Sequence, residues 1–120
     1  MTLQELYQAM GGDYNQALRI LRVEKLIDKH IRKLPNNKIF PAFAEAGKSM
    51  DSVALFENAH AIKGVCSNLG LVQMAEIASD ISEEFRPGNP RKMTDAEVQE
   101  KVTRINDMFE NAVREIQNYE

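Results

Sequence analysis

His60 is the residue of this 120-residue chain whose neighbours are best suited to chemistry. In a helix, Lys63 and Gly64 would lie one turn after it, at the offsets where side chains of one face meet. An exposed histidine is largely neutral at pH 7, so one ring nitrogen keeps the lone pair that could attack phosphorus. Lys63 could then neutralise the phosphoryl oxygens, while Gly64 leaves the flank of the helix bare. The spacing predicts a phosphoryl group carried on His60.

Three more side chains lie at helical offsets from His60 and are candidate binding residues. Phe56, one turn earlier, is either an exposed docking anchor or the edge of the apolar core. Glu57 is either a hydrogen-bond acceptor that fixes the tautomer of His60 or a solvated surface charge. The hydroxyl of Ser67 could donate to the phosphate, because a phosphate in the middle of a helix receives no free backbone amides.

The second histidine and the single cysteine favour plainer interpretations. His30 has no candidate ligand or base at its helical offsets and is predicted to be an ordinary surface residue. Cys66 falls on an apolar stripe and is predicted to be a small buried hydrophobe. A single cysteine cannot form an internal disulfide, which agrees with a reducing compartment.

Length and composition limit the class of protein. Hydrophobic residues make up 43% of the chain and charged residues 28%, as in soluble globular proteins, and residues 1–120 are predicted to form one domain. The net charge of −3 gives no reason to expect nucleic acid as a partner. No apolar run approaches the ~18 residues of a membrane span, and the first residues lack the pattern of a secretory signal. We therefore expect a cytoplasmic protein without a membrane role.

The apolar periodicity is helical almost throughout, and it predicts an all-α fold. Short helices are expected over residues 2–10 and 13–21, separated by glycines, with Asp13 as the cap of the second. A further helical segment follows the break at Pro35, and residues 47–50 are expected to form the connection after it. The segment before Pro35 is predicted to bury Val23, Leu26, Ile27, Ile31 and Leu34.

Three longer amphipathic helices follow. Asp51 is expected to cap the helix that carries His60. The stop at residues 86–90 ends the next helix, and the capping box of Thr94 and Glu97 begins the last one. With the segment before them, these helices predict an antiparallel up-down-up-down four-helix bundle with short extra N-terminal helices. Their expected core positions are Leu55, Ala59, Ile62, Cys66 and Leu69, then Leu71, Met74, Ala75, Ala78, Ile81 and Phe85, then Val98, Val102, Ile105, Phe109, Ala112 and Ile116.

Positive charge is concentrated in the first third of the chain. Residues 13–38 contain seven Lys or Arg and three Asp or Glu. Arg22, Lys25, Lys29 and Arg32 are predicted to share one helical face. That face is either solvated surface or a rim that steers an acidic partner.

The segment around His60 resembles the signature of histidine phosphotransfer domains, the HPt modules of two-component phosphorelays. The resemblance lies in His60, in Lys63 and Gly64, in Gly70 ten residues after the histidine, and in the small Ala59 before it. In this chain the pattern falls on a predicted helix of a predicted four-helix domain, which makes the resemblance more specific than the short motif alone.

The resemblance covers most of the chain and is weakest in residues 1–50 and 86–120. Two residues depart from the family pattern. Phe56 occupies a position that is more often polar, and Val65 replaces a residue that is commonly small and polar. Neither departure touches the histidine chemistry, but both bear on which partner docks.

The resemblance implies a phosphocarrier that has no kinase site of its own and is not an enzyme. His60 would accept a phosphoryl group from the aspartyl phosphate of one receiver domain and pass it to the aspartate of another. Lys63 would stabilise the phosphate, and Gly64 would admit the partner. The implied partners are receiver domains of response regulators and a hybrid histidine kinase. The magnesium ion would lie on the receiver, and this chain would act as a monomer without a metal or cofactor.

Two alternatives stay open. The chain could be a four-helix adaptor that binds a receiver without phosphotransfer, although the intact trio of His60, Lys63 and Gly64 argues against it. It could also be the phosphoacceptor module of a split histidine kinase. The 120 residues contain no nucleotide-binding motif, so the kinase would then be a separate chain or a part of the protein outside these residues.

Overall fold

The computed structural model describes residues 1–119, and 79% of these residues are helical. No strand occurs among the described residues, so the predicted all-α fold is confirmed. No helix within them combines the length and the apolar character that crossing a membrane requires. The helices are α1 (Leu3–Met10), α2 (Tyr14–Leu21), α3 (Glu24–Lys33), α4 (Ile39–Ser49), α5 (Ser52–Asn68), α6 (Val72–Glu84) and α7 (Asp95–Asn118), with a 3₁₀ turn at Leu34–Asn36.

The four longest helices pack in a closed order. Helix α4 contacts α5, α5 contacts α6, α6 contacts α7, and α7 also contacts α4. This is the arrangement of a helical bundle, and the short helices lie outside it, with α1 on α7 and α2 on α3 and α5. The up-down direction of the four helices stays a prediction. So does the single domain over residues 1–120, of which Glu120 lies outside the described residues.

Helix α5, which carries His60, is built as the sequence predicts. Its N-cap is Asp51, whose carboxylate accepts a hydrogen bond from the backbone N–H of Ala54 at 3.1 Å. Burying a large aliphatic side chain contributes roughly 1.5–3 kcal/mol to stability. Rotation of α5 about its axis would expose its apolar stripe and lose this free energy. The side chains of its stripe with no exposed surface are Leu55, Ala59, Ile62 and Cys66.

The predicted apolar faces of α6 and α7 are buried as well, apart from one residue. Phe109 is half-buried and stacks on Phe40 of α4, with ring centroids 4.1 Å apart and planes inclined by 8°. The capping box of α7 is present, because Thr94 accepts from the N–H of Glu97 at 3.1 Å and donates its own N–H to that side chain at 2.8 Å.

The predicted connection at residues 47–50 is wrong. Helix α4 continues through Ser49, and only residues 50–51 lie between it and α5. The buried Gly47 instead marks a close crossing of two helices, since a Cβ there would approach the side chain of Val102 in α7 to 2.8 Å. A glycine can therefore serve packing inside a helix as well as ending one.

The predicted burial of Val23 and Leu26 is also wrong. These side chains are 50% and 40% exposed. Helix α3 begins only at Glu24 and packs mainly on α2 at the edge of the bundle. Such a short edge helix buries a narrow stripe, and Ile27 and Ile31 form it with no exposed surface.

The turn between α5 and α6 joins the N-terminal helices to the bundle. Gly70 has a φ of +71° in this turn, and a Cβ on it would overlap the carbonyl oxygen of Asp13 and crowd Ala17. The carbonyl of Gly70 accepts a hydrogen bond from the N–H of Asp13 at 2.7 Å. Only glycine combines this left-handed backbone with so close an approach.

Side chains of α1 and α2 also donate hydrogen bonds to carbonyl groups at the end of α5. The hydroxyl of Tyr7 donates to the carbonyl of Leu69 at 2.7 Å, and the amide of Gln16 donates to that of Ser67 at 3.3 Å. Burial raises the pKa of the Tyr7 phenol, so this hydroxyl keeps its proton at physiological pH. The C-terminal end of α5 is thus held from outside the bundle.

We expect Gly70→Ala to lower the free energy of unfolding by about 3 kcal/mol, because overlap with Asp13 adds to the strain of a left-handed alanine, about 1–2 kcal/mol. Gly88→Ala is the matched control. Gly88 has a φ of +93°, but a Cβ there meets no atom within 4 Å, so its loss should be about 1 kcal/mol. Urea unfolding followed by circular dichroism measures both, and equal losses would contradict the role of the contact with Asp13.

Candidate functional site

His60 lies on the exposed flank of α5. It follows Ala59, which has no exposed surface, whereas His60 itself is exposed, because successive residues of a helix point about 100° apart. The exposure expected from the sequence is therefore present. None of the side-chain hydrogen bonds within residues 1–119 involves the imidazole. No hydrogen-bond partner in that part of the chain would have to leave for the ring to react.

Phe56 supports the imidazole from one turn earlier. The two rings stack with centroids 6.0 Å apart and planes inclined by 23°. Phe56 is half-buried and also packs against the core. Phe56 thus lies between the core and His60, and its role in docking stays a prediction.

Lys63 and Gly64 lie one turn after His60, on the same flank. Lys63 is half-buried, and the ion pairs within residues 1–119 do not include it. Gly64 is exposed, and a Cβ added to it would meet no atom within 4 Å. The fold itself does not require glycine there, and alanine would stabilise the helix by ~1 kcal/mol. The space beside Gly64 lies open to a partner.

The other two candidate binding residues are tied less closely to His60. Glu57 is exposed, and within residues 1–119 it makes no hydrogen bond to the imidazole. Ser67 is half-buried two turns beyond His60, and its carbonyl accepts the amide of Gln16. The roles of Glu57 and Ser67 stay predictions, as do those of the other site residues.

Two charged residues that the sequence analysis did not single out border this surface. Arg86 follows α6, and its guanidinium carbon lies 5.6 Å from the centroid of the Phe56 ring. Glu83, one turn earlier, contacts the same guanidinium at 2.7 Å. Their spacing of three residues indicates an ion pair in the sequence. Only the packing of α6 on α5 brings that pair next to Phe56.

Glu83 is under the influence of two cations. The hydrogen bond from Arg86 lowers the pKa of its carboxyl, and the charges of Arg86 and Lys63 lower it further. Because the Glu83 side chain is 56% exposed, water screens these interactions. The surface beside His60 thus combines the carboxylate of Glu83 with the cations of Lys63 and Arg86, and the exposed Glu57 lies on the same helix as His60.

A buried carboxylate fixes the loop that follows α6. One oxygen of Glu84 accepts from Nε of Arg91 at 2.9 Å and from two backbone N–H groups at 2.8 Å each. Closer to the site, the backbone N–H of Asn89 donates to the carbonyl of Arg86 at 3.0 Å. The backbone position of Arg86 is therefore set by the loop.

The residues with plainer predictions lie away from this flank. Cys66 has no exposed surface, and burial raises the pKa of its thiol to about 12. His30 is exposed and lines a groove of about 250 Å³ with Lys33 and Val65, in which His60 takes no part. Within residues 1–119, no group of three or more His, Cys, Asp or Glu side chains is placed to hold a metal ion.

The predicted basic face is present only in part. Arg22 does not share a helix with the others, because it ends α2 with a φ of +75°. Arg32 is engaged by Asp28 at 3.1 Å, while Lys25 and Lys29 are exposed. The prediction of one continuous face is wrong for Arg22, since the chain turns there before α3 begins.

A family model described as the Hpt domain matches residues 1–115. The match includes α1 to α6 and most of α7, and with them His60 and all of its neighbours. Among the curated proteins and the solved structures, none matches the chain.

We expect the Cys66 thiol to be inert in the folded protein at pH 8. Its pKa of about 12 keeps it protonated there, and only the thiolate is nucleophilic. Unfolding in urea exposes the group and returns it to the ordinary pKa of about 8.5. An aromatic disulfide reagent should therefore label the unfolded chain at once and the folded chain only at its unfolding rate. Rapid stoichiometric labelling of the folded chain would contradict the burial of Cys66.

Proposed function

The chain belongs to the Hpt domain family, and we propose that His60 carries a phosphoryl group from one receiver domain to another. Hpt domains are phosphocarriers rather than catalysts, and they exchange phosphoryl groups with response regulator receiver domains in phosphorelays. The observation that supports His60 as the carrier is its exposure on a helix whose opposite side is sealed in the core. A phosphoryl group added there disturbs no packed side chain.

In the first transfer, the lone pair of one ring nitrogen attacks the phosphorus of an aspartyl phosphate. The nitrogen–phosphorus bond forms as the bond from phosphorus to the receiver's carboxyl oxygen breaks, and the aspartate leaves as a carboxylate. The second ring nitrogen keeps its proton, so the phosphorylated ring forms as a cation. In the second transfer, another aspartate attacks phosphorus and the ring of His60 leaves as neutral imidazole.

The neighbours of His60 would supply charge and access. Lys63 would neutralise the phosphoryl oxygens, which matters because the middle of a helix offers no free amides. Gly64 would let the receiver's backbone approach the imidazole. Phe56, Ser67 and Glu57 are proposed as binding residues around them, with Phe56 orienting the ring by stacking.

The partners would divide the work. The receiver would bring the magnesium ion and an acidic pocket, while this chain contributes positioning and charge neutralisation without a cofactor or kinase site. The partners we propose are receiver domains of response regulators, with a hybrid histidine kinase as the source of the phosphoryl group. In this proposal the chain acts as a cytoplasmic monomer.

A transfer assay with a radiolabelled phosphoreceiver tests this function. The wild-type chain should take up label, and His60→Gln should take up none. His30→Gln is the matched control, because His30 is the other histidine and is also exposed; it should be labelled like the wild type. Binding of the receiver without any transfer would favour the adaptor function. Labelling of the purified chain by ATP alone would contradict the carrier function.

We expect Gly64→Ala to separate stability from transfer. Alanine should raise the free energy of unfolding by up to about 1 kcal/mol, because its Cβ meets no atom of this chain and favours the helix. The same methyl group would obstruct the receiver and slow transfer by about tenfold or more, the effect of a barrier higher by about 1.4 kcal/mol. Urea unfolding and transfer kinetics measure the two effects. Unchanged transfer would show that the receiver does not approach over Gly64.

A further inference from the structure

The ion pair of Glu83 and Arg86 uses only one of the two carboxylate oxygens. Both Nε and Nη2 of Arg86 donate to the same oxygen, Oε1 of Glu83, at 3.2 and 2.7 Å. The pair lacks the parallel geometry with two oxygens in which arginine holds an anion most strongly. The side chains of Arg86 and Glu83 are 44% and 56% exposed, so water screens the pair and replacing one anion with another costs little.

The same pair stands next to the proposed phosphoryl acceptor. The guanidinium of Arg86 and the imidazole of His60 both contact the ring of Phe56, with distances of 5.6 and 6.0 Å from its centroid. Phe56 packs against the core, and the backbone of Arg86 is held by Asn89. Because that backbone is held, an exchange of partner by the guanidinium would take place by rotation of the side chain and not by movement of α6.

We propose that Glu83 is an exchangeable counter-ion, which holds Arg86 while His60 is unphosphorylated and releases it to the phosphoryl group once His60 is phosphorylated. This inference rests on the proposed function of His60. The exchange itself breaks no covalent bond and moves no proton. Arg86 only leaves one anion for another.

The charges determine the direction of this exchange. A phosphoryl group offers three acceptor oxygens and close to two negative charges, so the planar fork of Arg86 can bind two of its oxygens at once. Glu83 offers the fork a single oxygen in the present geometry. Once Arg86 has moved, the carboxylate of Glu83 has lost this counter-charge, and its negative charge disfavours the phosphoryl group on the same surface.

The two residues therefore act on the transfer equilibrium with opposite signs. Arg86 would stabilise the phosphorylated form of His60, and Glu83 would destabilise it. A carrier has to release its phosphoryl group as well as accept it. Glu83 would thus keep phosphorylated His60 reactive enough to pass the group to the next aspartate.

The equilibrium between a phosphoreceiver and this chain, measured as the ratio of label on each, tests the inference. Glu83→Gln should shift the ratio toward His60 by about threefold to tenfold, and Arg86→Gln should shift it away by a similar factor. In the Arg86→Gln background, Glu83→Gln should have a smaller effect. Glu110→Gln makes the same change of charge at an exposed position of α7 and should leave the ratio unchanged.

The outcomes separate this inference from the proposed function. If the wild-type chain takes no label on His60, the proposed function fails. If the wild type is labelled but Glu83→Gln has the wild-type ratio, only the counter-ion inference is overturned. A large fall in Tm for Glu83→Gln together with an unchanged ratio would likewise overturn it, because Glu83 would then serve the fold alone.

Discussion

The burial of one apolar stripe on α5 is the constraint on which the rest of the structure depends. Ala59 and Ile62 have no exposed surface, so the helix is fixed in rotation between α4 and α6. With about 100° between successive residues, the same rotation fixes His60 on the open flank. The residues that stabilise the bundle therefore also decide which side chain can meet a partner. Exposed side chains on that flank can therefore be replaced without disturbing the packing of the core.

Contacts outside the stripe hold the C-terminal end of α5 and bring charged side chains to its exposed flank. The turn at Gly70 and the hydrogen bond from Tyr7 hold the C-terminal end of the helix, which limits movement of the flank when a partner docks. Glu83 of α6 and Arg86, which follows that helix, lie beside the Phe56 ring. The surface around His60 is thus assembled from two helices, and its balance of charge depends on how closely α6 lies against α5.

The sequence predicted the features that are local or periodic. The cap at Asp51 and the stripe of α5 follow from short-range rules, and the exposure of His60 follows from the stripe. Other features depend on distances between segments. Gly47 looks like a helix end in the sequence, yet its closeness to Val102 arises from the crossing of α4 and α7. The place of Arg86 above Phe56 has the same origin, since no spacing along one helix encodes the register of two.

In the proposed function, the phosphoryl group resides on a ring nitrogen of His60. Nuclear magnetic resonance of the chain, labelled with nitrogen-15 in its histidine rings and phosphorylated by a receiver, tests it most directly. We predict a nitrogen–phosphorus coupling on one ring nitrogen of His60 and none on His30. A coupling on His30, or phosphorus held by the protein without coupling to either ring, would contradict the claim.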